Sequence, residues 1–390
     1  MNIHSNIWKL YVIKGLKWFM IVMPIVVLFF QENGLNLKEV MILQGIYSFM
    51  VAAMEIPSGY LADVFGRKNT LIMGAIFCFF GFLIISLSFS FWYFIIGEII
   101  LGVGSSFISG ADSAILYDSL AENKKENEYT KVEGVAYGIG NFSEAIAGIC
   151  GGLLAEISLR LTWEVQVVVA GLIIPFTFLL VEPKVHQKNK LSKSFKAIWK
   201  VVRFSLVENK TLKWLIIISS SIGFATLSLA WFAQPYFKSI DMPLKYFGFT
   251  WAILNLLTGI SSINAYRLQR LFSKNRILIF ISLSISISIF LLSKSTAILG
   301  LILITTVYII RGLATPVMRT YINDLTPSNM SATVLSVRSF CIRVTFAVMA
   351  PFMGWIADIY TLFQSFLFLG IIVGITSLLA SLKLKALSNN

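Results

Sequence analysis

The chain has 390 residues, of which 57% are hydrophobic and only 13% charged, and its mean hydropathy is +0.81. A soluble domain is nearer half apolar and a quarter charged, and it cannot hide this much apolar surface from water. The formal charge of +13 does not imply nucleic acid, because the basic residues sit in short links between long apolar runs, which is the pattern of membrane topology.

About 20 apolar residues are needed for a helix to cross a bilayer. Runs and breaks predict an all-α membrane protein of about twelve crossings, at 16–31, 39–61, 69–89, 91–116, 131–155, 163–181, 212–237, 246–267, 275–293, 297–318, 331–355 and 361–382. The first run lacks a small-residue cleavage site after it and reads as a membrane helix, not a signal peptide. Links such as Ser88-Phe89-Ser90 force antiparallel neighbours. Cys78, Cys150 and Cys341 each lie inside an apolar run with no metal-ligand spacing, so they read as small apolar fillers, and no metal or cofactor is expected.

Basic residues alternate between link sets. Arg67, Lys68, Lys124, Lys125, Arg267, Arg270, Lys274, Arg276, Lys383 and Lys385 fall in one set, and Lys38, Arg160, Lys238, Lys245 and Lys294 in the poorer one. The richer set, with both termini and the basic central link, is expected to face the cytoplasm of an inner membrane. The central link divides the chain into bundles at 1–181 and 212–390, with 182–211 between them. Within it Phe195, Ile198, Trp199, Val202 and Leu206 recur at helical spacing among Lys193, Lys196, Lys200 and Arg203, which predicts a helix lying along the anionic leaflet, with membrane lipids as partners. The two halves echo each other faintly, Tyr117-Asp118-Ser119-Leu120 against Ile322-Asn323-Asp324-Leu325.

Between the second and third spans stands Gly59-Tyr60-Leu61-Ala62-Asp63-Val64-Phe65-Gly66-Arg67-Lys68. Gly59 permits close helix approach, Asp63 ends a helix and can accept from helix N-terminal amides, and Gly66 makes the reversal. Arg67 and Lys68 hold the loop at the surface, and Asp118 is the natural partner of Arg67. The run resembles the signature loop of the major facilitator superfamily, G-x-L-x-D-x-x-G-R-[KR], with Val64 where a basic residue usually stands. That resemblance implies two six-helix bundles and a conformational latch at Gly59, Asp63, Gly66, Arg67, Lys68 and Asp118. A likeness to the superfamily's drug–proton antiporters is partial. Ala147-Gly148-Ile149-Cys150-Gly151-Gly152 keeps the glycines of their fifth helix but has no proline, and Glu98 stands before Gly102-Val103-Gly104 where those proteins often carry Arg.

Ionisable residues inside spans are costly and usually functional. Glu55, Glu98, Asp112 and Glu144 lie in the first half, and Arg311, Arg338 and Arg343 in the second. Asp112, Glu144 and Glu98 are candidates for proton coupling; interfacial helix ends are the bland reading of Asp112 and Glu55. Glu55 and Arg338 each fall roughly 10 Å inside the cytoplasmic face at 1.5 Å per residue, and the family's architecture places their helices side by side, so they are expected to form a gate pair. Helices 1, 4, 7 and 10 line the cavity in that family. Ser105, Ser106 and Ser109 are therefore expected to face it, with Trp231, Gln234, Tyr308, Arg311 and Arg343 as substrate contacts. His4 and His186 lie outside the spans, and no Walker loop, nucleophile elbow or metal cluster occurs in the sequence, which argues against an enzyme or an ATP-driven pump. The leading reading is monomeric, proton-coupled efflux of a small organic molecule. Uptake of an anionic metabolite, with Arg311 and Arg343 as counter-charges, competes with it, and a non-transporting receptor on the same fold is a distant third.

Overall fold

The computed structural model describes residues 5–183, 195–295, 297–327 and 330–388, and among them there are fourteen α-helices. Eleven are long and apolar enough to cross a membrane. They are α3 (Leu37–Phe65), α4 (Arg67–Leu87), α5 (Phe91–Glu122), α6 (Tyr129–Ala155), α7 (Leu159–Phe178), α9 (Lys210–Ser239), α10 (Leu244–Leu271), α11 (Lys274–Leu292), α12 (Ala297–Asp324), α13 (Ser331–Ile359) and α14 (Leu362–Ser388). Several ends follow from local chemistry. Asn209 Oδ1 accepts from Leu212 N at 3.0 Å and starts α9, while Gly66, at φ 93°, makes the reversal into α4.

The first span differs from its expected place at 16–31. Two shorter helices, α1 (Asn6–Trp18) and α2 (Val26–Glu32), are separated by a turn. Pro24 lies in that turn; its missing N–H and its restriction on the preceding residue break the helix. The Ile21 N–H freed by the break donates to Gln166 Oε1 at 2.8 Å. Irregular backbone at membrane depth is tolerated where protein satisfies it in this way. The helix also starts ten residues early, so Lys14 sits inside it as well as Lys17. The charges of Lys9 and Lys14 kept the expected apolar window downstream.

The chain forms two compact units. Unit 1 comprises residues 1–35, 46–192 and 243–252, so the first turns of α10 belong to it. Here α4 and α5 pack backbone to backbone: a Cβ on Gly104 would lie 2.8 Å from Cys78 N, and one on Gly74 2.9 Å from Gly104 O. Small residues in place of apolar bulk let membrane helices approach this closely. The glycines of α6 act similarly. A Cβ on Gly151 would lie 2.0 Å from Ile21 O, and one on Gly248 2.1 Å from Gly148 O. Phe29, Phe30, Phe94 and Trp163 form an aromatic core, with Phe29 and Trp163 centroids 4.9 Å apart.

Unit 2 comprises residues 36–45, 193–242 and 253–390, so it takes the start of α3. Asp358 at the end of α13 receives Leu37 N at 2.9 Å and Lys38 N at 2.7 Å, capping α3. The core of the unit runs through Phe232, Tyr236 and Phe366, with Tyr236 fully buried. Helix α8 (Phe195–Arg203) lies here, followed by a π-turn at Phe204–Glu208. Val201 and Ser205 are buried, and Trp199, of the stripe expected to face lipid, is 63% exposed. Lys193 of that stretch lies outside the described residues.

Candidate functional site

Unit 1 holds a buried charge cluster where α1, α5 and α6 meet. Asp112 Oδ2 accepts from Lys14 Nζ and from Lys17 Nζ, both at 3.1 Å. Glu133 Oε1 lies 3.6 Å from Lys14 Nζ and accepts from Ser113 Oγ at 2.9 Å. Two cations therefore face two anions, and Asp112 is nearly buried, at 8% exposure. Asp112 lies ten residues before the end of α5 and is paired with two partly buried ammoniums, so it is more than a solvated helix end. Lys14, Lys17 and Glu133 are absent from the sequence-based candidates. The signal for them was the i, i+3 spacing of the lysines, which puts both on one helix face. Glu98 is buried on α5 and Glu144 half-buried on α6, so these two coupling candidates lie in the same unit but at other levels of their helices.

At the α3–α4 reversal, Arg67 Nε lies 2.8 Å from Asp118 Oδ2. The α4 amides do not go to Asp63, as expected, but to Glu182: Arg67 N donates to its Oε1 at 2.8 Å and Lys68 N to its Oε2 at 2.7 Å. Asp63 is exposed at the end of α3. It sits N-terminal to the reversal, whereas Glu182, beyond α7, approaches the α4 N-terminus from in front, where the dipole is strongest. The segment carrying Glu182 is fixed in turn. Val181 N donates to Asn6 Oδ1 at 3.0 Å, and Asn6 Nδ2 donates to Val181 O at 2.8 Å and to Ser119 Oγ at 2.9 Å. Gly59, Gly66 and Lys68 complete this loop; a Cβ on Gly59 would meet nothing within 4 Å, so close helix approach does not explain it.

Unit 2 contains a cavity of about 220 Å³ between α9, α12 and α13, onto which Arg311, Arg338 and Arg343 all open. Ser219, Thr226 and Thr315 add hydroxyls to its wall, and Ile222, Met318 and Ile342 add apolar surface. None of the described residues lining it is acidic. Arg338, expected to be half of a gate with Glu55, has its Nε donating to Ser219 Oγ within this unit. Arg311 stands over the ring of Tyr308, 5.7 Å from its centroid. Of the five expected substrate contacts, Arg311 and Arg343 line the cavity. Trp231, Gln234 and Tyr308 do not; they are buried in the packing of α9 and α12, with 9%, 1% and 1% exposure. Their bulk and polarity marked them in the sequence, but the helix faces carrying them turn into the unit. Ser105 of α5, another expected lining residue, accepts from Tyr47 Oη at 3.2 Å in unit 1.

The sequence model of the Major Facilitator Superfamily matches residues 8–315. The chain is 23% identical over 372 residues to an MFS-type transporter of Methanocaldococcus jannaschii, covering 91% of this chain and 92% of that protein. It is 33% identical over 112 residues to the inner membrane transport protein YajR of Escherichia coli, covering 29% of this chain and 23% of that one. Among solved structures, the nucleoside transporter NupG superposes with a TM-score of 0.81 at 14% identity over 99% of both chains. The D-xylose-proton symporter superposes with a TM-score of 0.74 at 15% identity over 98% of this chain and 97% of that one. At such identities the structural likeness is one of fold.

Proposed function

Because this chain belongs to the Major Facilitator Superfamily, and so is a multi-pass membrane transporter, we propose that it carries a small organic anion by secondary active transport. The observation that carries this reading is the unit 2 cavity, where three guanidiniums converge with no acid among its described lining residues. Cations held at membrane depth without a counter-charge are costly. A negatively charged substrate supplies that charge, and arginine is the side chain best shaped to grip an oxyanion by two parallel hydrogen bonds. A cationic or neutral solute gains nothing from such a wall, so the anionic reading is favoured over efflux of a cationic drug.

Coupling to protons is assigned to the Lys14–Asp112–Lys17–Glu133 cluster, where a carboxylate, two ammoniums and a second carboxylate are balanced. Any change of protonation unbalances four charges at once, which is how a proton biases a conformational equilibrium. The Arg67–Asp118 pair and the Glu182 cap serve as the latch, holding helix ends in one conformation. The distribution of lysine and arginine favours cytoplasmic termini.

The test is solute uptake into proteoliposomes carrying the purified protein, with a pH gradient of either sign. Organic anions are expected to accumulate with one sign of gradient only, and the sign gives the direction. Arg311→Gln and Arg343→Gln are expected to lose at least tenfold in rate. Accumulation of cationic or neutral solutes alone, or wild-type rates in both variants, refutes the reading.

A further inference from the structure

Resting on the reading of an anion site, we infer that the unit 2 cavity is built for a phosphate ester: a dianionic phosphoryl head attached to an organic body. Three arguments converge on this chemistry. The first is charge. Arg311, Arg338 and Arg343 bring three positive charges to one wall with no acid among its described residues. A monocarboxylate leaves two of them uncompensated, whereas a phosphate monoester carries about −1.5 to −2 at neutral pH.

The second argument is geometry. The three guanidiniums come from two helices, Arg311 from α12 and Arg338 and Arg343 from α13, and they approach the cavity from different positions. A planar carboxylate offers two oxygens in one plane, but a phosphoryl group offers three in a tetrahedral array, one for each fork. Two of the three are held by neighbours: Ser219 takes the Arg338 Nε, and the Tyr308 ring lies against Arg311. Thr226 and Thr315 on the same wall donate their hydroxyls to the Ile222 and Arg311 carbonyls, so the hydroxyls of Ser219 and Ser339 are the ones that can donate to phosphate oxygens.

The third argument is room. A cavity of about 220 Å³ exceeds inorganic phosphate, since one water needs only about 10–15 Å³ by the same kind of measure. The remaining wall, with Ile222, Leu227, Met318 and Ile342, is apolar, so the attached body is carbon-rich. Such a ligand comes from one of two sources, a soluble organic phosphate or the headgroup region of a phosphomonoester lipid.

The experiment measures binding to the full-length protein in detergent by calorimetry, with phenyl phosphate, benzoate, benzyl alcohol and a short-chain phosphatidic acid as probes. Phenyl phosphate is expected to bind at least tenfold tighter than benzoate, with benzyl alcohol undetectable. Arg343→Lys, which keeps the charge but loses the fork, is expected to weaken phenyl phosphate at least fivefold while leaving benzoate within twofold. Binding of phosphatidic acid at least tenfold tighter than phenyl phosphate, with the same Arg343→Lys loss, supports the phosphate chemistry and assigns its source to lipid; the reverse order assigns it to a soluble ester. Benzoate equal to or tighter than phenyl phosphate overturns the phosphate inference and leaves the anion reading standing. If neither anion binds, both fall. The comparison of probes on the unaltered protein decides the matter even if a variant fails to fold.

Discussion

Asp112→Asn is the perturbation whose consequences follow most directly from the structure. The substitution keeps the shape of the side chain and removes its charge, leaving Lys14 and Lys17, each 3.1 Å from the lost oxygen, with Glu133 as the remaining anion of the cluster at 3.6 Å from Lys14. Breaking a buried ion pair from one side costs roughly 3–5 kcal/mol, chiefly because a charge is left uncompensated. The lysine side chains keep 12% and 23% of their exposure, and solvent and Glu133 recover part of that. The expected loss is about 2–3 kcal/mol. At roughly 2–4 °C per kcal/mol for a body of this size, unit 1 is expected to melt about 4–12 °C lower. The assay is tryptophan fluorescence during heating of the detergent-solubilised protein. Adding Lys17→Met removes the surplus ammonium and is expected to restore at least half the loss, a non-additivity that independent sites do not show. The same single variant, in proteoliposomes, is expected to abolish accumulation driven by a pH gradient while leaving downhill exchange. A melting temperature within 1–2 °C of wild type, or a strictly additive double variant, refutes the reasoning.

Further outcomes are expected at two other places. Glu182→Gln removes the carboxylate that caps Arg67 N and Lys68 N and, with Arg67→Ala, is expected to slow transport at least tenfold at unchanged membrane abundance; normal initial rates in well-expressed variants contradict the latch. Gly248→Ala puts a methyl 2.1 Å from Gly148 O, and such overpacking is expected to cost about 1–3 kcal/mol in thermal unfolding. Gly259→Ala on the same helix, with nothing within 4 Å of the added carbon, is the control and is expected to be neutral or slightly stabilising.

Hydropathy and punctuation in the sequence determined most of the architecture. Long apolar runs must be helices in a bilayer, since every backbone group needs a partner there, and eleven of them stand within a few residues of their expected places. The loop at Gly59 to Lys68 was legible because a membrane reversal needs a glycine at positive φ and cations beside it, and that need is local. Arg311 and Arg343, which line the unit 2 cavity, stood out in the sequence because an arginine inside an apolar run is costly. The tertiary structure alone decided whatever depends on a partner far along the chain. Lys14 stood outside the expected first span and Lys17 just inside it, and nothing local marked the partner, Asp112, that neutralises them from nearly a hundred positions away. Glu182 took the amides expected for Asp63 because the end of α7 lies in front of α4. Trp231, Gln234 and Tyr308 are buried away from the cavity, because helix rotation within a bundle is set by neighbours and not by the helix's own sequence in a chain apolar on every face. Burial and counter-charge are properties of the assembled fold, which brings three arginines scattered along the chain to the wall of one cavity.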